Sequence, residues 1–336
     1  MSNNKRTGSQ TIYLPERPSI MDIGTAAGNK ECEGPLGKYI DSNIDSSSTQ
    51  TSWELEERAM VQKALDNVLS KTHTLERDID YFLMGDLLNQ IVSSSYTARE
   101  TAIPFIGWYG AGATMARSLS VAAMLIDGGF AKNAIAATGS HFCTAERQYR
   151  YPLEMGVQRA ASSQWTVTGS AAVLLTQHVE GSPFITHVTT GRVIDYGICD
   201  ANNMGAAMAP AAANTLKAHF EETGRSPEYY DLILTGDLGK YGKAITEKFL
   251  IEDYPQFPSV YKDCGCEIFR GDTSVNAGGS GCGCSALYLS KVIHDMKNGR
   301  LKRVLFTATG ALHNPTMLFQ KESIPSIAHS VAIETE

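Results

Sequence analysis

The chain writes one ordered set of motifs twice, and a duplicated order constrains architecture more than any local propensity does. "DYFLMGDLLNQ" at Asp80 to Gln90 matches "DLILTGDLGK" at Asp231 to Lys240, each an apolar run ending in Gly-Asp-Leu. "GGFAKNAIAATGSH", Gly128 to His141, resembles "NGRLKRVLFTATGALH", Asn298 to His313. "VTGSAAVLLTQ", Val167 to Gln177, closes the first half as "IAHSVAIETE", Ile327 to Glu336, closes the second. Three matches in one order predict two halves, residues 1–180 and 181–336, built to the same plan.

Between these landmarks short apolar runs alternate with helical segments, which predicts a mostly parallel α/β sheet in each half. Thr51 opens a Thr-x-x-Glu capping box before the helical "WELEERAMVQKALDNVLS", and Gly224 closes the helical "AAMAPAAANTLKAHFEETG". From Gly110 to Ile126 the single charged side chain is Arg117, whereas a helix lying on a sheet surface shows a polar stripe. That helix is expected to be covered on nearly all sides. "GCGCSALYLSKVIHDMK", Gly281 to Lys297, starts with six small residues at the equivalent place. Two small-faced helices approach each other closely, so they are expected to form the middle of five layers, αβαβα, with each half reading βαβαβαββ.

At 336 residues the chain is long enough for a large core, and its net charge of -7 argues against a nucleic-acid partner. "MSNNKRTGSQ" has no apolar signal-peptide core, and no run of about 18 apolar residues offers a membrane span. A soluble, intracellular protein is expected. Its seven cysteines are an odd number and scattered, which fits reduced thiols better than a disulfide framework. Cys264-Gly-Cys266 and Cys282-Gly-Cys284 lack the two-to-four-residue spacing of zinc ligands, and small apolar packing is the expectation for both; no metal and no cofactor is predicted. The glycine-rich Gly271 to Gly283 lacks the lysine of a nucleotide phosphate loop.

Duplicated halves and buried small-residue helices together resemble the thiolase fold of condensing enzymes over nearly the whole chain. A closer set of motifs is "GTAAGNKECEGPLG" (Gly24 to Gly37), "GDLLNQ", "LIDGGFAKNAIAATGSH", "TAERQYRYP" (Thr144 to Pro152), "NMGAAMAPAAANT" and "QKESIPSIAH" (Gln320 to His329). These resemble the stage V sporulation AD family, thiolase-like proteins of spore-forming Firmicutes. The resemblance implies binding of dipicolinic acid, pyridine-2,6-dicarboxylate, as free acid or calcium chelate. It also implies work with the other membrane proteins of the same operon at the spore inner membrane, where the chain would sit peripherally on the cytoplasmic or forespore side, and pairing into a homodimer.

A thiolase-type enzyme needs an activated cysteine at the start of the buried helix, where the dipole favours a thiolate. Laid on this chain, that position falls at Gly112, the second-half histidine near Gly279 and the second cysteine near Thr309; none is a catalytic residue type. The family often retains the first cysteine, so the chain departs from its relatives here. No catalytic residue is therefore assigned. The backbone at Gly112 and Ala113 is instead expected to receive a carboxylate. The loop His141 to Trp165, about ten residues longer than its counterpart after Leu312, carries Arg147, Arg150 and Arg159 with Tyr149, Tyr151 and Trp165. Arg147 and Arg150 are expected to grip the second carboxylate as a pair, against pairing with neighbours such as Glu146 and Glu154. His141 and His313 end equivalent strands and should face one mouth, while Asp86 and Asp237 should cap helices. Two alternatives stand beside binding: acyl transfer from coenzyme A through Cys143 or Cys282, and a scaffold for spore membrane proteins.

Overall fold

The computed structural model describes residues 5–44, 51–150 and 159–336. The duplicated motifs become two five-stranded sheets of identical connectivity. The first half supplies, in chain order, Ser19–Ala27, Tyr81–Gly85, Phe105–Gly107, Asn133–Ser140 and Gly169–Thr176. Phe184–Thr190, Leu232–Thr235, Tyr261–Asp263, Arg303–Ala311 and Ser326–Glu334 form the second. Numbered within its half, each sheet runs 3-2-4-5-1. In both, strand 2 is parallel to strands 3 and 4, and strand 5 is antiparallel to strands 4 and 1. The two first strands touch at the pair Ser19–Phe184, which joins the sheets into one ladder.

The helix expected to be covered, Thr114–Asp127, packs on Tyr81–Gly85 and Asn133–Ser140 of its own half and on Arg303–Ala311 and Ser326–Glu334 of the other. Its partner, Cys282–Lys297, packs on Ser19–Ala27, Asn133–Ser140 and Gly169–Thr176. Small residues allow this approach: a Cβ on Gly283 would lie 2.5 Å from the carbonyl oxygen of Gly169. Leu119, Leu287 and Val292 from these two helices share one central core with Val173 of the first sheet and Phe306 and Val331 of the second. Outer cores complete the layers, with Met60 and Leu65 against Phe82 on one side. Leu216 and Phe220 pack against Ile233 on the other. Five layers result, αβαβα.

Local signals held to within a residue. Gly224 ends Met204–Thr223 at φ 68, the left-handed conformation that glycine adopts freely. The cap of Trp53–Thr72 is Ser52 rather than Thr51: its extended backbone places Oγ to accept from the Leu55 N–H at 3.3 Å. Both residues carry a hydroxyl, and the first helical residue, Trp53, selects the nearer one. At the N-terminus, Thr11–Tyr13 pairs with Phe184–Thr190 of the second sheet. The Glu222 carboxylate fixes that turn by accepting from the N–H groups of Ser9, Gln10 and Thr11.

Candidate functional site

The two halves meet in a cavity at the start of the buried helix. Gly110 leads into a single 3-10 turn, Ala111–Ala113, which runs into Thr114–Asp127. Ala111 has φ 48, a left-handed conformation that costs a non-glycine residue about 1–2 kcal/mol. Two donors secure the turn: Thr114 Oγ1 at 2.7 Å and Cys282 Sγ at 2.9 Å, both to the Ala111 carbonyl. The Ala113 N–H is already committed to the Gly110 carbonyl at 3.1 Å. The helix start therefore offers less free backbone than the sequence suggested.

Gly112 does not open onto empty space. A Cβ there would lie 2.5 Å from Asp237 Oδ2 and 2.5 Å from the Thr309 carbonyl oxygen. The second half has pushed a carboxylate into the place of a side chain at position 112. Asp237 is buried, and its oxygens accept from Thr309 Oγ1 at 2.6 Å and the Gly281 N–H at 2.9 Å. Burial pushes its carboxyl up to about 7, overcoming those hydrogen bonds, which favour the charged form. The expected cap of the following helix is made by Asp263 instead, which accepts from the N–H groups of Leu238 and Gly239. Asp86, at the equivalent strand end, does bond a helix start, through the N–H and hydroxyl of Ser94.

Gly112 and Asp237 form one end of the cavity, with Gly281 and Ser280 beside them; Leu87, Ala311, Met204 and Met208 give apolar wall. The segment expected to be a loop begins as a helix, Phe142–Tyr149, which with its C-cap contributes Glu146, Tyr149 and Arg150. Arg150 is largely buried and donates to Glu146 Oε1 at 2.8 Å and the Gln164 carbonyl at 2.7 Å. Arg159 donates to the same carboxylate at 3.2 Å and to the same carbonyl. Arg159 stands behind the cavity wall, and Arg150 with Glu146 faces it. Gln164 ties the loop to the second half, donating to the carbonyls of Asp237 at 2.6 Å and Gly279 at 2.7 Å.

His313 closes the other side at 4% exposure. Among the described residues neither of its ring nitrogens has a side-chain hydrogen-bond partner. Its ring lies 5.2 Å from that of Tyr149, whose hydroxyl bonds Tyr109 at 3.2 Å. Burial, then the Arg150 charge, holds the imidazole below its usual range.

Of the residues that the sequence singled out for binding, Gly112, Tyr149, Arg150 and His313 line this cavity, and Arg159 does not. Ala113 is buried behind Gly112 and is not among the residues lining it. Arg147 is exposed, salt-bridged to Glu54 and stacked 5.1 Å over Trp53, away from the cavity. The two arginines separate because Arg150, at φ -134 and ψ 31, leaves the helical path on which Arg147 still lies. His141 turns toward the helix Trp53–Thr72: Nδ1 accepts from the Cys143 N–H at 3.2 Å and Nε2 lies 3.4 Å from Glu56. Trp165 stacks on Phe142 at 4.3 Å, outside the lining. Tyr151 and Glu154 lie outside the described residues. Neither candidate replacement nucleophile lines the cavity: Cys282 is fully buried on Ala111, Cys143 half-buried, and burial pushes both thiols up. Sequence reasoning missed Asp237 and Gln164 as parts of this site. The duplicated Gly-Asp-Leu flagged the first as a strand end, and nothing in sequence flagged the second.

The profile of the family described as Stage V sporulation protein AD (SpoVAD) matches residues 8–334. Stage V sporulation protein AD of Bacillus subtilis (strain 168) is 47% identical over 332 residues, 98% of each chain. Among solved structures, 3-oxoacyl-[acyl-carrier-protein] synthase III from Aquifex aeolicus superposes at a TM-score of 0.60 with 12% identity, covering 94% of this chain and 99% of that one. OleA of Xanthomonas campestris gives 0.61 with 13% identity over 96% and 99%. The tetronic acid condensing enzyme AbyA1 gives 0.62 with 15% identity over 94% and 99%. At such identities these three establish a shared thiolase-like fold.

Proposed function

This chain belongs to the stage V sporulation protein AD family, and we propose that it binds dipicolinic acid without covalent chemistry and serves its uptake into the developing spore. One observation carries the reading. At the position that the sequence reading gives to the nucleophile, this chain has Gly112 covered by Asp237, in a cavity that also holds Arg150 and His313. A flat pyridine dicarboxylate needs apolar walls and two polar ends. Met204, Met208 and Leu87 supply walls; Arg150 and His313 supply donors at one end, and Asp237 with Ala111 and Gly112 forms the other. Acyl transfer finds less support, because neither replacement thiol lines the cavity and burial pushes both up.

Among the described residues no helix is long and apolar enough to cross a membrane, so this reading assigns the crossing itself to membrane partners. Calorimetric titration with dipicolinate tests binding: one saturable site per chain is expected, and no heat at millimolar ligand overturns it. Incubation with acetyl-coenzyme A and intact-mass measurement tests the absence of covalent chemistry, since a stable acyl adduct contradicts it.

A further inference from the structure

Asp237 sits where the ligand's inner carboxylate would have to lie. It fills the side-chain space of Gly112, and its hydrogen-bond partners, Thr309 and Gly281, both come from the second half. Neighbouring cations are committed to Glu146 rather than to Asp237. A ligand carboxylate reaching the helix start therefore meets a protein carboxylate, and two such groups in contact in a buried site do not both stay ionised. We propose that Asp237 receives its ligand as the neutral acid, donating its carboxyl hydrogen to the ligand carboxylate, so that each ligand bound brings one proton into the site. This rests on the dicarboxylate reading above and adds the form of the contact.

Of the groups that line the cavity, Asp237 is poised to titrate near neutrality. The turn Ala111–Ala113 presents no ionisable side chain. On the neighbouring strand Asp263, itself pushed up by burial to about 6 and outside the cavity lining, opposes ionisation of Asp237 when charged. Cys264, Cys282 and Cys284 are held as thiols by burial. Across the cavity Glu146 is matched by its two arginines, and Tyr109 and Tyr149 are pushed up by burial, Tyr109 to about 12. His313 is the other candidate, and its imidazole is held neutral by burial and by Arg150.

The sign is fixed by these states. Asp237 titrates at about 7 in the free protein, and a bound carboxylate raises that value further. Proton uptake on binding is then close to zero at about pH 5.5 and approaches one per ligand at about pH 8.5. Affinity falls about tenfold per pH unit above that midpoint. Calorimetry of the full chain with dipicolinate, in two buffers of different ionisation enthalpy across this range, counts the protons directly and needs no variant. Binding with no uptake at high pH overturns the proposal while leaving the ligand reading intact; absence of binding at every pH removes the ligand reading itself. Asp237→Asn keeps a hydrogen-bond donor and is expected to bind with no proton uptake and a flat pH profile. If uptake persists in Asp237→Asn, the proton belongs to another group, His313 if it disappears in His313→Asn and Asp263 if it does not, and the proposal is wrong.

Discussion

Gly112 and Asp237 are one structural unit although 125 positions separate them in the chain. Any side chain at 112 must displace a buried carboxylate that Thr309 and Gly281 hold, or press on the Thr309 carbonyl. Gly112→Ala is therefore expected to lower stability by about 1–3 kcal/mol, read as a shift in the urea midpoint. The same variant should blunt the pH dependence of dipicolinate binding, because the carboxyl that titrates has been moved. An unchanged midpoint would show that the turn at Ala111 relaxes more readily than its left-handed backbone and two carbonyl contacts suggest. The pair also explains why the sequence misled at this spot. A glycine at a helix start reads as open room, and only the facing half reveals that the room is taken.

At the scale of elements, helix ends decide which side chains reach the cavity. Glu146 and Arg150 lie one turn apart and close over the site, while Arg147, between them, is drawn outward to Glu54. Arg147→Gln should leave dipicolinate affinity within about twofold, since an exposed ion pair contributes little. Arg150→Gln should weaken binding at least about tenfold, with thermal unfolding as the check that the fold persists once Glu146 loses a partner. Equal losses in both variants would return the pair to a shared role. At the N-terminus of the outer helix Trp53–Thr72, beside Glu54, Ser52→Ala should cost about 1 kcal/mol and Thr51→Ala nearly nothing. Chemical denaturation distinguishes the two caps, and the reverse ranking would reinstate Thr51.

For the molecule as a whole, the buried helix Thr114–Asp127 belongs to both halves. Residues 1–180 expressed alone would expose its face for Arg303–Ala311 and Ser326–Glu334, along with the Leu119 side of the central core. Such a fragment is expected to aggregate or to lack dispersed amide signals by NMR; a cooperative, well-dispersed fragment would show that the halves fold independently. The sequence by itself determined the duplication, the five layers and the burial of two helices, because repeat order and the absence of charge are properties of the chain alone. It also placed Gly112, Arg150 and His313 among the candidates, through residue type and position at element ends. Tertiary structure decided what those residues face. Asp237 entering the Gly112 space, Gln164 bridging to Asp237 and Gly279, and Arg147 turning away all depend on distances between segments far apart in sequence. Contacts of that kind are set by how the two sheets close on the shared helices, and no local pattern carries them.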